Sequence, residues 1–309
     1  NLMKFIKENS DVPVVAGGWH CTLFPEQMAN CEYVDYVVAG EGEEHVADIA
    51  EMLKNGKRRD SKIYHKKNLN FDSLPLTSYD LDNHIERFIS NYLTDKLSQY
   101  VSQPMRWLPY ESSRGCPSHC TFCINVVTNN TRYRKKSAEK VISEIEHIVE
   151  KYNITHLKII DDNFFVDIKR VREICEGMIK RNLNITWDGE CRCDYFNDTF
   201  LNDETLKLCK SSGLIQLTLG IESGSPHALK LMKKGITPEQ AEFAVRKCNE
   251  HKIIARSSFI LEIPGEAIDD INQTVSFVNR LRKYPYFTCG VGTFRPYPKC
   301  ELTEKLLKE

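Results

Sequence analysis

From about residue 103 onward the chain repeats one pattern: a short apolar run, then a longer stretch with apolar residues every three or four positions. The short runs read as buried strands and the longer stretches as amphipathic helices. Strands are predicted at Arg106–Ser113, Thr155–Asp161, Ile185–Cys191, Leu214–Ile221, Ile253–Ile263 and Phe287–Phe294. The first helix starts at Ser137 as N-cap and presents Val141, Ile145, Ile148, Val149 and Tyr152 on one face. In the second, Val171, Ile174, Cys175 and Met178 fall at helical spacing. Asn202 to Lys210 is a short helix stopped by Gly213. Another runs to about Cys248, with Thr237 as cap, Pro238 at its first position and Gln240 completing a capping box. The last spans Glu266–Arg282. Six strands alternating with helices predict a parallel sheet with right-handed crossovers. Six units are fewer than the eight of a closed barrel, so the fold class is α/β with a partial (β/α)6 TIM-like barrel over 105–309.

Ahead of the barrel, Val12–Gly17 is an apolar strand ending in Gly17-Gly18. Tyr33–Ala39 is a second, ending in Gly40-Glu41-Gly42-Glu43, and Val46 to Lys54 is helical. Residues 1–56 therefore read as the later part of a doubly wound, Rossmann-like domain, whose ligands sit at the carboxyl ends of strands. Residues 57–104 have weak periodicity and read as a linker; its six basic residues between Lys57 and Lys67 are a solvated face. The chain opens at Asn1 directly on helical residues, as a piece of a longer protein would.

The 42 basic and 43 acidic residues give a net charge of −1. That balance argues against a partner held by bulk electrostatics, nucleic acid above all. No apolar run approaches the roughly 20 residues of a membrane helix, and no signal-peptide pattern opens the chain. Twelve cysteines are too many to pass over. A chain this long needs no disulfide staples, and the reading is a reducing, cytoplasmic setting. Cys21, Cys31, Cys175, Cys209, Cys248, Cys289 and Cys300 are scattered singly and read as small buried hydrophobes. Cys191 and Cys193 flank Arg192, so both face away from it and read as packing.

Only Cys116, Cys120 and Cys123 are close together, in Cys116-Pro-Ser-His-Cys-Thr-Phe-Cys123. Three soft thiolates on one loop can hold three corners of an iron–sulfur cluster and leave one iron open. The competing reading, a zinc knuckle with His119 as fourth ligand, suffers because His119 adjoins Cys120. This loop, with Phe122 before its last cysteine, resembles the signature of the radical S-adenosylmethionine superfamily. The resemblance runs over roughly 105 to 300. It implies a 4Fe-4S cluster on Cys116, Cys120 and Cys123, with S-adenosylmethionine on the fourth iron. One-electron reduction, by a donor such as flavodoxin or ferredoxin, would then cleave the cofactor to a 5′-deoxyadenosyl radical.

Other segments fit that frame. By the resemblance, Asp161 and Asp162 closing the second strand contact the methionyl amino group; a helix cap by Asp162 or Asn163 is the alternative. Glu190, Arg192 and Asp194 alternate along the third strand, so Arg192 could pair the methionyl carboxylate or simply Asp194. Glu222 and Ser223 end the fourth strand, where a carboxylate suits a ribose diol or caps the next helix. Relatives usually carry glycine at the position of Glu262, and glycine and threonine at those of Lys299 and Cys300. The amino-terminal Gly17-Gly18, the Asp35–Glu43 run and Leu74-Pro75 are similar to the cobalamin-binding subgroup, with Gly17 and Gly18 beside the corrin. The resemblance thus implies cobalamin and, in the subgroup's commonest form, methyl transfer to an unactivated carbon of a small molecule or peptide. Cobalamin-independent, ring-forming or methylthiotransferase-like chemistry, and a non-catalytic electron-transfer protein, stay open.

Overall fold

The computed structural model describes residues 2–57, 61–65, 69–81, 86 and 105–308. The chain divides into two compact units, Asn1–Leu74 and Pro75–Glu309.

In the first unit, strands β1 (Val15–Ala16), β2 (Tyr36–Ala39) and β3 (Ile63–His65) form a parallel sheet in that order. The stretch read as a linker therefore differs: its residues 63–65 are the third strand. Tyr64 is buried against Tyr36 and Ile49, and His45 Nε2 lies 2.7 Å from the His65 carbonyl, pinning the strand. Three residues are too short a run for periodicity to reveal. Of the basic cluster, Lys62 donates to the carbonyls of Ala29 and Cys31. Lys66, Lys67 and residues 82–85 and 87–104 lie outside the described residues.

The second unit holds six parallel strands in the order β11 (Phe287–Thr293), β10 (Ile254–Leu261), β9 (Leu214–Glu222), β8 (Thr186–Cys191), β7 (His156–Ile159) and β4 (Trp107–Tyr110). Strands β4 and β11 are the edges, so the barrel is open. The Thr237–Gln240 capping box forms, and Ser137 and Asn202 cap their helices. On one face of the sheet Leu108, Leu157, Ile159, Trp187, Leu217, Leu219, Ala255 and Phe259 join the main core. Strand alternation then puts Lys158, Asp188, Glu190, Gln216, Thr218 and Arg256 on the other face. Among the described residues no helix is long and apolar enough to cross a membrane.

The first expected strand is shorter than its apolar run, and the third ends at Cys191 as expected, without the alternation read on through Arg192 and Asp194. Strand β4 stops at Tyr110; the chain then turns, and Ser113–Arg114 (β5) pairs antiparallel with Arg134–Lys135 (β6). Strand β8 stops at Cys191, and Cys193–Tyr195 forms a 3-10 turn. Polar tethers explain both ends, and they belong to the site.

Candidate active site

The cysteine loop leaves β5 at Gly115, and a helix over Ile124–Thr128 follows it. Gly115 has φ +82, and a Cβ there would lie 1.9 Å from the Arg132 carbonyl oxygen, so only glycine lets the loop close on itself. Thr121 anchors the middle: its N–H donates to the Met232 carbonyl and its hydroxyl to the Leu231 carbonyl, both at 3.0 Å.

The three cysteines line a cleft with about 660 Å³ of open space at the carboxyl end of the sheet. Asp162, Asn163, Glu190, Arg192, Glu222 and Lys234 share its walls. Burial pushes the Cys123 thiol up to about 11 and raises that of Cys120. Such thiols are poor free nucleophiles. His119, the other ligand of the zinc reading, is exposed. No group of three or more His, Cys, Asp or Glu among the described residues is gathered closely enough for one metal ion.

The two aspartates after β7 have structural duties. Asp161 is 1% exposed and accepts from the Ser112 N–H at 2.7 Å, the Ser112 hydroxyl at 2.6 Å and the Ser113 hydroxyl. It draws residues 112–113 away from β4, which is why that strand ends early. Both its oxygens are engaged and it does not line the cleft, so it is not placed for the expected contact with an amino group. Asp162 caps no helix: it accepts from the Gly115 N–H at 2.7 Å and from Asn125 Nδ2 at 2.6 Å, holding both ends of the cysteine loop. It still lines the cleft. The next residue is different. Asn163 is 2% exposed, donates from Nδ2 to the Tyr195 hydroxyl at 2.9 Å and to Cys116 Sγ at 3.5 Å, and leaves Oδ1 buried without a partner.

Arg192 makes the Arg–Asp pair that was one of two expectations. Nε and Nη2 grip Asp194 at 2.9 and 3.1 Å, and Nη2 also reaches the Lys234 carbonyl at 2.8 Å. That bidentate clamp bends the chain into the 3-10 turn, so Asp194 is not on the strand. Cys191 and Cys193 pack in the core, 4% and 1% exposed. Arg192 still lines the cleft, and among the described residues Nη1 has no hydrogen-bond partner.

Glu222 ends β9 with φ +69, which turns its carboxylate onto Lys234 Nζ at 2.8 Å. Both are largely buried. Burial works against the Lys234 ammonium, but Glu222 and Cys120 beside it more than compensate and keep it charged. Ser223 does not face the cleft: it is 0% exposed, 2.9 Å from the Thr274 hydroxyl, and accepts from the Ser225 N–H. Lys234 is the site residue that sequence reading misses. Nothing in the local pattern marks it, since its partner is twelve residues away across a helix. Tyr195 is missed for the same reason.

In the first unit, Gly18 has φ +89 and nothing within 4 Å of where a Cβ would be. A Cβ on Gly17 would meet only the Val38 carbonyl oxygen, at 3.9 Å. The loop after β2 is tied to the helix that follows β1 (Trp19–Leu23), Gly40 N–H donating to Thr22 Oγ1 at 2.9 Å. The carboxyl end of β1 is thus an open glycine shelf.

Comparisons with known proteins agree with this geometry. The sequence pattern of the radical SAM superfamily matches residues 110–278, more than half of the chain. An uncharacterized methyltransferase of Pyrococcus horikoshii is 30% identical over 96% of this chain and 63% of its own. An anaerobic magnesium-protoporphyrin IX monomethyl ester cyclase of Rubrivivax gelatinosus is 24% identical over 96% of this chain and 54% of its own. The chain thus spans between half and two-thirds of these relatives. The radical S-adenosylmethionine methyltransferase TsrM from Kitasatospora setae, solved with cobalamin and a [4Fe-4S] cluster, shares the fold: TM-score 0.74 at 18% identity over 99% of this chain and 59% of that one. With its open parallel barrel and three-cysteine loop, this chain belongs to the radical SAM superfamily.

Proposed function

We propose that this chain is the cofactor-binding part of a cobalamin-dependent radical enzyme that methylates an unactivated carbon. The observation that carries the radical half is the cleft itself: three thiols on one wall and, beside them, a buried acceptor, Asn163 Oδ1, with no partner. A 4Fe-4S cluster on Cys116, Cys120 and Cys123 suits three soft ligands with one iron left open. The orphaned amide oxygen suits the methionyl ammonium of S-adenosylmethionine, in place of Asp161, which does not line the cleft. Arg192 offers Nη1 to the methionyl carboxylate. Glu222 keeps Oε2 for a ribose hydroxyl, since Oε1 takes Lys234. Bound together, cluster and cofactor supply one-electron chemistry able to take hydrogen from carbon. The chain's own share is to orient them and to keep water out with Phe122, Val126 and Cys191 around the cleft.

Cobalamin on the glycine shelf of residues 17–18 supplies a methyl carrier. The methyltransferase relative and the fold shared with a cobalamin-binding protein support that reading, and the cyclase relative supports ring formation as the second. Substrate is a small molecule or peptide, and a flavodoxin- or ferredoxin-type donor in a reducing cytoplasm supplies the electron. Anaerobic reconstitution of the full-length protein with iron and sulfide, then S-adenosylmethionine and reductant, tests the radical half. We expect 5′-deoxyadenosine; an intact cluster that yields none sinks it. A corrin absorption band after expression with cobalamin tests the other half, and its absence removes methyl transfer by cobalamin.

A further inference from the structure

We propose that Asn163 is a positioning residue that sets the reduction potential of the cluster, by donating a hydrogen bond to the Cys116 sulfur with Tyr195 holding its amide in place. The inference rests on the cluster assignment above and goes beyond it.

The Asn163 amide has two N–H donors. One goes to the Tyr195 hydroxyl at 2.9 Å and the other to Cys116 Sγ at 3.5 Å, a normal length for a bond to sulfur. Tyr195 comes from the turn after β8, which the Arg192–Asp194 clamp shapes, so two polar tethers from neighbouring strands converge on one thiol. The amide is buried, and turning it over would set its oxygen against the thiolate. The charge of the ligand therefore selects the orientation observed, and that same orientation leaves Oδ1 as the free acceptor. Among the described residues no other side chain donates to any of the three sulfurs. A donor on a ligand sulfur draws electron density from the cluster, stabilises the reduced form and raises the potential. In a dry site such a bond has more effect than in water.

The test is an EPR-monitored redox titration of the anaerobically reconstituted full chain, without S-adenosylmethionine. Asn163→Leu keeps the bulk and removes the donor; Asn163→Asp puts an anion in its place; Tyr195→Phe frees the amide. At the potential where half of the native clusters are reduced, Asn163→Leu is expected to lower the ratio of reduced to oxidised cluster about tenfold, equivalent to about 59 mV. Asn163→Asp should lower it further, and Tyr195→Phe less. Iron and sulfide content, measured alongside, separates this from a structural role, which would reduce loading and leave the potential of loaded protein unchanged. Fully loaded Asn163→Leu protein at the native potential overturns the proposal. Should that variant not load iron, Tyr195→Phe decides: an unchanged potential there overturns it as well. Native protein that assembles no EPR-active cluster defeats the cluster assignment instead.

Discussion

Glu190 lies on the cleft wall with its carboxyl raised to about 7, by burial first and then by the charge of Asp188. Lys158, Thr218 and Arg256 work against the shift without cancelling it. The folded state thus holds a proton that the unfolded chain releases near the ordinary value of 4.5. Stability from this group is complete below pH 4.5 and is lost as pH rises to about 7. Glu190→Gln should remove that slope and gain on the order of 2 kcal/mol at pH 8 over native protein, with little change at pH 4. Urea titrations at the two pH values measure it, and parallel curves for both proteins would refute it. Two further positions account for departures from the superfamily's pattern. Glu262 and Lys299, where relatives usually have glycine, adopt φ +62 and +63. Side chains in that region cost about 1 kcal/mol. Glu262→Gly should therefore leave melting temperature unchanged or raise it, whereas glycine at an ordinary exposed position lowers it.

At the scale of elements, the cysteine loop depends on what its ends allow. Gly115→Ala forces a Cβ against the Arg132 carbonyl at a positive φ, and should cost about 2 kcal/mol or more, as such backbone conflicts do elsewhere. Iron retained after reconstitution should fall with it; full loading and an unchanged melting temperature would refute the claim. The strand–helix alternation that carries this loop is legible in the sequence, because helix and strand periods differ and the caps at Ser137 and Thr237 are local signals. The three cysteines are legible because soft thiols crowded onto one short loop suit a metal centre far better than they suit packing. What sequence alone hides is decided between elements. Asp161 and Ser223 look like cofactor contacts until Ser112 and Ser113 are seen to engage the one and Thr274 to cover the other. Arg192 and Asp194 alternate as a strand would, yet their own ion pair ends the strand. Lys234 is invisible because its role exists only once β9 and the helix after it bring it to Glu222.

Across the whole molecule, the proposed function gives the two units separate chemistry. All three loop cysteines, Asn163 and Lys234 belong to the second unit, and the glycine shelf belongs to the first. Damage to the shelf should therefore leave the cleft intact. Gly18 is the place to make it, because open space surrounds its missing Cβ while its φ of +89 excludes β-branched residues. Gly18→Val would put a stiff side chain where a ligand has to approach the backbone, and would strain the loop after β1. The expected result is protein without the corrin band after expression with cobalamin, yet with native iron content and native yield of 5′-deoxyadenosine per cluster. Native corrin absorbance in this variant would move cobalamin off the shelf and leave the radical assignment standing. Loss of both cofactors at once would show that the two units fold as one cooperative body, contrary to their division at Leu74.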